Sequence, residues 1–180
     1  MPPQKLADRT RTSLAFEAWW RKLAANRALP SYSEFDPLDV PDLVPHLFSC
    51  EVKLQDPFTA VIRFSGSETR ELAGFNLTGQ SAMGFFDKVT VKDVEASVRA
   101  MTKMPCGLVQ LNDVLYDKAP NAVTEITVLP MKTDNPDCFY LVGLLQWVGA
   151  HIDGTKDFPM RILTSQHYDW IDVGGGIPDF

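Results

Sequence analysis

The chain has no apolar run close to the roughly 20 residues that a membrane-crossing helix needs, and its N-terminus carries no hydrophobic leader stretch. The expectations are a cytoplasmic location and no membrane partner. Positive charge is also short: 17 Lys and Arg stand against 23 Asp and Glu, a net −6, whereas nucleic-acid binding needs clustered cations that release phosphate counterions. The one basic group (Lys5, Arg9, Arg11, Arg21, Lys22 and Arg27) is broken by Glu17 and two tryptophans, and reads as a solvated helix face. Cys50, Cys106 and Cys138 are widely spaced and include no Cys-x-x-Cys pair, which favours buried reduced thiols over zinc or redox motifs. His46, His151 and His167 supply no i, i+4 pair, so no metal site is expected. A nucleophile elbow is missing as well: Gly66-Ser67 lacks the Gly-x-Ser-x-Gly frame, and Ser65 and Ser67 read as helix caps.

What is present suits an ordered globular fold. At 180 residues, 45% hydrophobic and 22% charged, the chain fits one domain with an extra element or two. Residues 10–28 contain no Pro or Gly and space Leu14, Phe16, Trp19, Trp20 and Leu23 for an amphipathic helix. The adjacent tryptophans point about 100° apart, so this helix meets more than one surface. Prolines 30, 37, 41 and 45 exclude a long helix from the next segment. Period-2 alternation then marks strands at 47–53 and 58–65, joined by a turn at Gln55-Asp56-Pro57. Ser65 with Glu68 predicts a capping box opening a short helix that Gly74 ends, and Thr90 with Asp93 predicts a second box opening a longer helix. That helix carries an apolar stripe of Val91, Val94, Val98 and Met101. Strands follow at 108–116, 122–131 and 139–148, separated by hairpin-length loops and forming an antiparallel meander. The last of them is apolar on both faces and therefore central. Beyond His151 no periodicity is evident, and Gly174-Gly175-Gly176 reads as a flexible tail.

Certain segments in this order resemble a known family: Asp36-Pro37, Val40-Pro41, Leu43-Val44-Pro45-His46-Leu47, Arg63-Phe64-Ser65-Gly66-Ser67, Gly74 and Leu77-Thr78-Gly79. The chain resembles the single-domain bacterial PAS-like family sometimes called PAS family 5, over roughly residues 12–150, although Ser67 stands where that family usually has threonine. The resemblance implies an α+β fold, a PAS-like five-stranded antiparallel sheet with short helices on one face and the N-terminal amphipathic helix on the other. It divides the chain into a helix (1–28), a PAS-like core (29–150) and a C-terminal extension (151–180). The flavin-photosensor branch needs a reactive cysteine in an Asn-Cys-Arg-Phe-Leu context, which this sequence lacks.

On that layout, inward strand faces and facing helices nominate Phe48, Cys50, Ile62, Phe64, Phe75, Phe86, Val98, Ile126, Val128 and Leu141 as a ligand-binding set. Arg63 and Glu125 interrupt apolar runs and are polar anchors if they turn inward. Phe16, Trp19, Trp20 and Leu23 form the candidate interface. The implied function is a non-enzymatic sensory or regulatory module that takes a small ligand in its core and signals through protein contacts, as a homodimer or with a signalling partner. The cofactor, if there is one, stays unassigned. The competing readings are a scaffold with a filled core and a small enzyme using Glu125 or Asp113 as its carboxylate.

Overall fold

A computed structural model describes residues 8–116, 122–148 and 160–179. The first helix, α1 (Arg11–Ala24), begins where the Thr10 side chain accepts a hydrogen bond from the Ser13 amide. It ends at Ala25, whose amide bonds back to the Arg21 and Lys22 carbonyls. Its buried face is Ser13, Phe16, Trp20 and Ala24, one helical stripe. The proline-rich segment follows as three single helical turns, at Tyr32–Glu34, Pro37–Asp39 and Val44–His46.

Strands β1 (Leu47–Lys53) and β2 (Thr59–Ser65) form the expected hairpin. Then come α2 (Ser67–Ala73), a helical turn at Ala82–Phe85, and α3 (Lys88–Lys103). The meander is β3 (Cys106–Tyr116), β4 (Ala122–Met131) and β5 (Cys138–Val148). The loop expected at 117–121 and His151 lie outside the described residues.

The C-terminal extension returns to the sheet as a sixth strand, β6 (Met160–Asp172), so the five-stranded expectation falls one strand short. The order is β2-β1-β5-β4-β3-β6, every pairing is antiparallel, and β5 is central as its two apolar faces predict. After β6 the triple glycine is a closed turn, not a loose tail: the Gly174 and Gly176 amides donate to one Asp172 carboxylate oxygen at 2.7 and 3.1 Å.

Both expected capping boxes are replaced. At α2 the N-cap is Gly66, which lies against the preceding backbone; a Cβ there would come within 2.1 Å of the Val44 carbonyl oxygen, so only glycine fits. At α3 the cap is Asp87, accepting from the Val89 and Thr90 amides at 2.9 and 2.8 Å, and the helix starts at Lys88, before Thr90.

Alternation along the strands splits the apolar residues into two cores. One, beneath α1, joins Phe16, Trp20 and Ala24 to Leu47, Val109, Leu129, Met131, Val142, Leu144 and Ile171. The other, on the α2–α3 side, includes Cys50, Val52, Ile62, Leu72, Val98, Met101, Val114 and Ile126.

A hollow between α3 and the curled sheet

The stretch Gly79–Phe86 meets both outer edges of the sheet. Near one end, Gly79 N donates to Ile62 O (2.7 Å), Ile62 N donates to Gln80 O (2.9 Å) and Ser81 bridges to Val61 of β2. At the other end, Phe86 bridges to Ile162 of β6. Much of this strap is a compact helical turn, so it reaches both margins because the sheet curls toward its helical side.

Inside the curl is a half-enclosed cavity of about 590 Å³, within the range of small-molecule sites. One wall is α3, which presents Thr90, Asp93, Val94, Ser97, Val98 and Met101 at helical spacing. Val98 and Met101 are buried, whereas Val89 at the other end of the helix is mostly exposed at the mouth. Arg99 pins α3 to the β1–β2 turn: it donates to Leu54 O (2.8 Å), pairs with Glu95 (2.6 Å) and lies over the Phe58 ring. The strap adds Ala82, Met83 and Phe86. The sheet contributes Phe48, Cys50, Leu108, Gln110, Ile126, Val128 and Leu141, with Tyr168 and Trp170 from β6.

One absence of a side chain shapes the wall. Gly143 of β5 lies under the Phe48 ring, and a Cβ there would fall 2.1 Å from that ring. The Cys50 thiol in the wall is pushed up to about 12 by burial and stays protonated, so it is no nucleophile at neutral pH.

Seven of the nominated residues therefore line the cavity: Phe48, Cys50, Phe86, Val98, Ile126, Val128 and Leu141. Ile62 packs in the same core without lining it. Phe64 faces the other way, packed edge-on to Phe35 on the α1 side. The register explains this: Cys50 pairs with Ile62 and Ser49 with Phe64, so Arg63 is an extra residue in β2 that reverses the alternation beyond it. Phe75 is about half exposed, against Phe85.

Neither polar anchor enters the cavity. Arg63 is exposed and pairs with Glu51 across the strands at 3.1 Å. Glu125 is buried, but on the α1 face, where its carboxylate accepts from the Thr10 hydroxyl (2.7 Å) and the Thr10 amide (3.1 Å). The carboxylate thus holds the start of α1, as charge at a helix N-terminus favours. Two more tethers follow along that helix: the Ser13 and Thr127 hydroxyls are 2.6 Å apart, and the Trp20 indole donates to Pro130 O at 3.1 Å. Asp113, the other candidate carboxylate, is exposed.

Of the four interface candidates, Phe16 and Trp20 are buried in the chain's own core. Trp19 and Leu23 are partly buried, Trp19 stacking on Phe16 and meeting Phe35 edge-on, whereas Leu14, about half exposed, lies on a different side of α1. Sequence reasoning missed the cavity's polar residues on α3, Gln110 on β3, and Tyr168 and Trp170. For the last two a signal existed: they alternate with His167 and Asp169, the period of a strand with one apolar face.

A family model described as PAS domain matches residues 8–146. A solved fungal LOV domain photoreceptor is similar at 16% identity, covering 74% of this chain and 91% of that chain with a TM-score of 0.43. No curated protein matches. Among the described residues no helix is long and apolar enough to cross a membrane, and no three His, Cys, Asp or Glu side chains are grouped to hold a metal ion.

Proposed function

The chain belongs to the PAS domain family, and from that premise we propose that it is a cytoplasmic, non-enzymatic sensory module whose cavity takes a small molecule and whose signal leaves through protein contacts. The observation that supports this reading best is the cavity of about 590 Å³ bounded by α3, the strap and the sheet. A scaffold with a filled core would leave no such space.

The route outward runs through the strands. On β4, Ile126 and Val128 face the cavity while Thr127 and Leu129, between and beside them, face α1. On β5, Leu141 faces the cavity and Val142 faces α1. A ligand that alters the twist of these strands therefore changes the seat of α1, biasing two packings of that helix. The outer side of α1, where Leu14 is about half exposed, is the surface proposed to meet a second copy or a signalling partner, with Trp19 and Leu23 at its flank.

Native mass spectrometry of gently purified full chain tests the first half: a reproducible added mass is expected, and Val94→Trp, which fills the cavity from α3, is expected to abolish it with the circular dichroism unchanged. For the second half, Leu14→Arg is expected to reduce self-association or partner binding in sedimentation without lowering stability. If wild-type protein carries no added mass, takes up no small apolar probe, and Leu14→Arg changes no association, the sensory reading fails.

A further inference from the structure

We propose that the cavity selects an uncharged, predominantly apolar ligand, gripped by Tyr168 and Trp170 of the C-terminal strand, with one hydrogen-bonding edge turned to Gln110. This rests on the reading of the cavity as a ligand site and adds the chemistry of what enters it.

Charge is the first argument. Among the described lining residues there is no Lys, Arg or His; the one charged side chain is Asp93, exposed at the mouth. An anion drawn into this space would lose its hydration without a counter-ion, and the chain's net −6 adds to the penalty.

Polarity on the floor is the second. Gln110 Nε2 donates to Asn112 Oδ1 at 2.8 Å, which leaves the Gln110 carbonyl oxygen as the group offered to an N–H or O–H on the ligand. Asn112 and its cross-strand neighbour Thr124 lie on the same sheet face, fully buried, and among the described residues no group partners Asn112 Nδ2 or Thr124 Oγ1. Of these three only Gln110 lines the cavity, so the sheet floor offers one amide edge among largely apolar side chains, as suits a ligand with a single polar edge.

The third is β6. Its Tyr168 and Trp170 rings, 6.2 Å apart and edge to face, supply large apolar faces, and they lie beyond the region the family model matches. The grip is therefore a property of this chain's extension.

The test uses the full chain with Nile red, an uncharged apolar dye, displaced by decanol or by decanoate at pH 8. Decanol is expected to displace the dye at about tenfold lower concentration than decanoate. Trp170→Ala, with Tyr168→Ala as the second variant, is expected to weaken dye binding several-fold with the fold retained by circular dichroism, and Gln110→Leu to erode the advantage of decanol over decane. Decanoate matching decanol, or both β6 variants binding dye like wild type, overturns this inference while the ligand site stands. Failure of every uncharged probe to bind overturns the site itself.

Discussion

On the α1 side of the sheet, Trp20 and Phe16 are buried against Leu129, Met131 and Val142, and the polar groups of the helix itself find partners: Thr10 on Glu125, Ser13 on Thr127, the Trp20 indole on Pro130 O, while Gln146 Oε1, across from Glu125, has none among the described residues. On the α3 side, alternate residues of the same strands face a hollow, and Asn112 Nδ2 and Thr124 Oγ1, buried on that face beside it, have no partner among the described residues. Strands with identical backbone support both, so the difference lies in the covering helices. α1 lies along its face, bound at both ends and in the middle. α3 sinks Val98 and Met101 into the core at one end, while at the other Thr90 is buried and Val89 is left mostly exposed. A sheet sealed on one face holds its shape, and that leaves the opposite face free to keep a space that packing alone would close.

The largest expected effect comes from breaking the sealed face. Trp20→Ala removes a fully buried side chain and its hydrogen bond and is expected to cost about 3–5 kcal/mol in chemical denaturation. Because the cavity wall shares its strands with that face, Nile red binding should weaken in the molecules that remain folded. Unchanged dye affinity would mean that the two faces are mechanically independent.

Smaller in stability but more selective is Gly143→Ala. The added methyl would meet the Phe48 ring, and the ring has the cavity to move into. Overpacking of this kind is expected to cost about 1–3 kcal/mol, with dye binding reduced more than by a surface substitution of equal cost. Were binding to persist while stability fell, Phe48 would be part of the wall without setting its volume.

How much of this contrast could be read from the residues follows from what is local and what is not. Strands 47–53, 108–116, 122–131 and 139–148 announce themselves by alternation, and β5 by its two apolar faces; the structure extends these by two residues or fewer. Phe64 reads as a cavity residue because nothing in Arg63-Phe64 reveals that Arg63 is a bulge. β6 goes unread because Thr164-Ser165-Gln166-His167 break the apolar alternation in the sequence, and its register against β3 shifts between Gln110 and Asn112. Glu125 looked like a cavity anchor, but parity puts it with Thr127 and Leu129 under α1, and its partner Thr10 is 115 residues away in the chain. The hollow is the least legible feature: each apolar lining residue reads as ordinary core, and the space comes from how α3, the strap and the sheet meet.

The smallest effect concerns the ionic clamp along α1, which the α3 face has no counterpart for among its lining residues. Glu17 is held between Arg9 and Arg21, and Arg21 also donates to the Asp172 carbonyl at 2.7 Å, tying α1 to the end of β6. Burial alone would raise the Glu17 carboxyl, but hydrogen bonds from Arg9 and Arg21 outweigh it and hold the group below its usual value. A carboxyl lowered in the folded state stabilises fully above its unfolded value, near 4.3 for Glu, and loses that contribution as pH falls through the folded value. The expected contribution is about 1 kcal/mol or less, since the pair is partly solvated. Unfolding free energies of wild type and Glu17→Gln should therefore differ by a constant amount above pH 5 and converge as the pH drops below 4, with amide exchange in α1 rising first in wild type. A gap that stays constant to acid pH would show that Glu17 acts through packing and not through charge, and would leave the hydrogen bonds of Glu125, Thr127 and Pro130 as the seal of the α1 face.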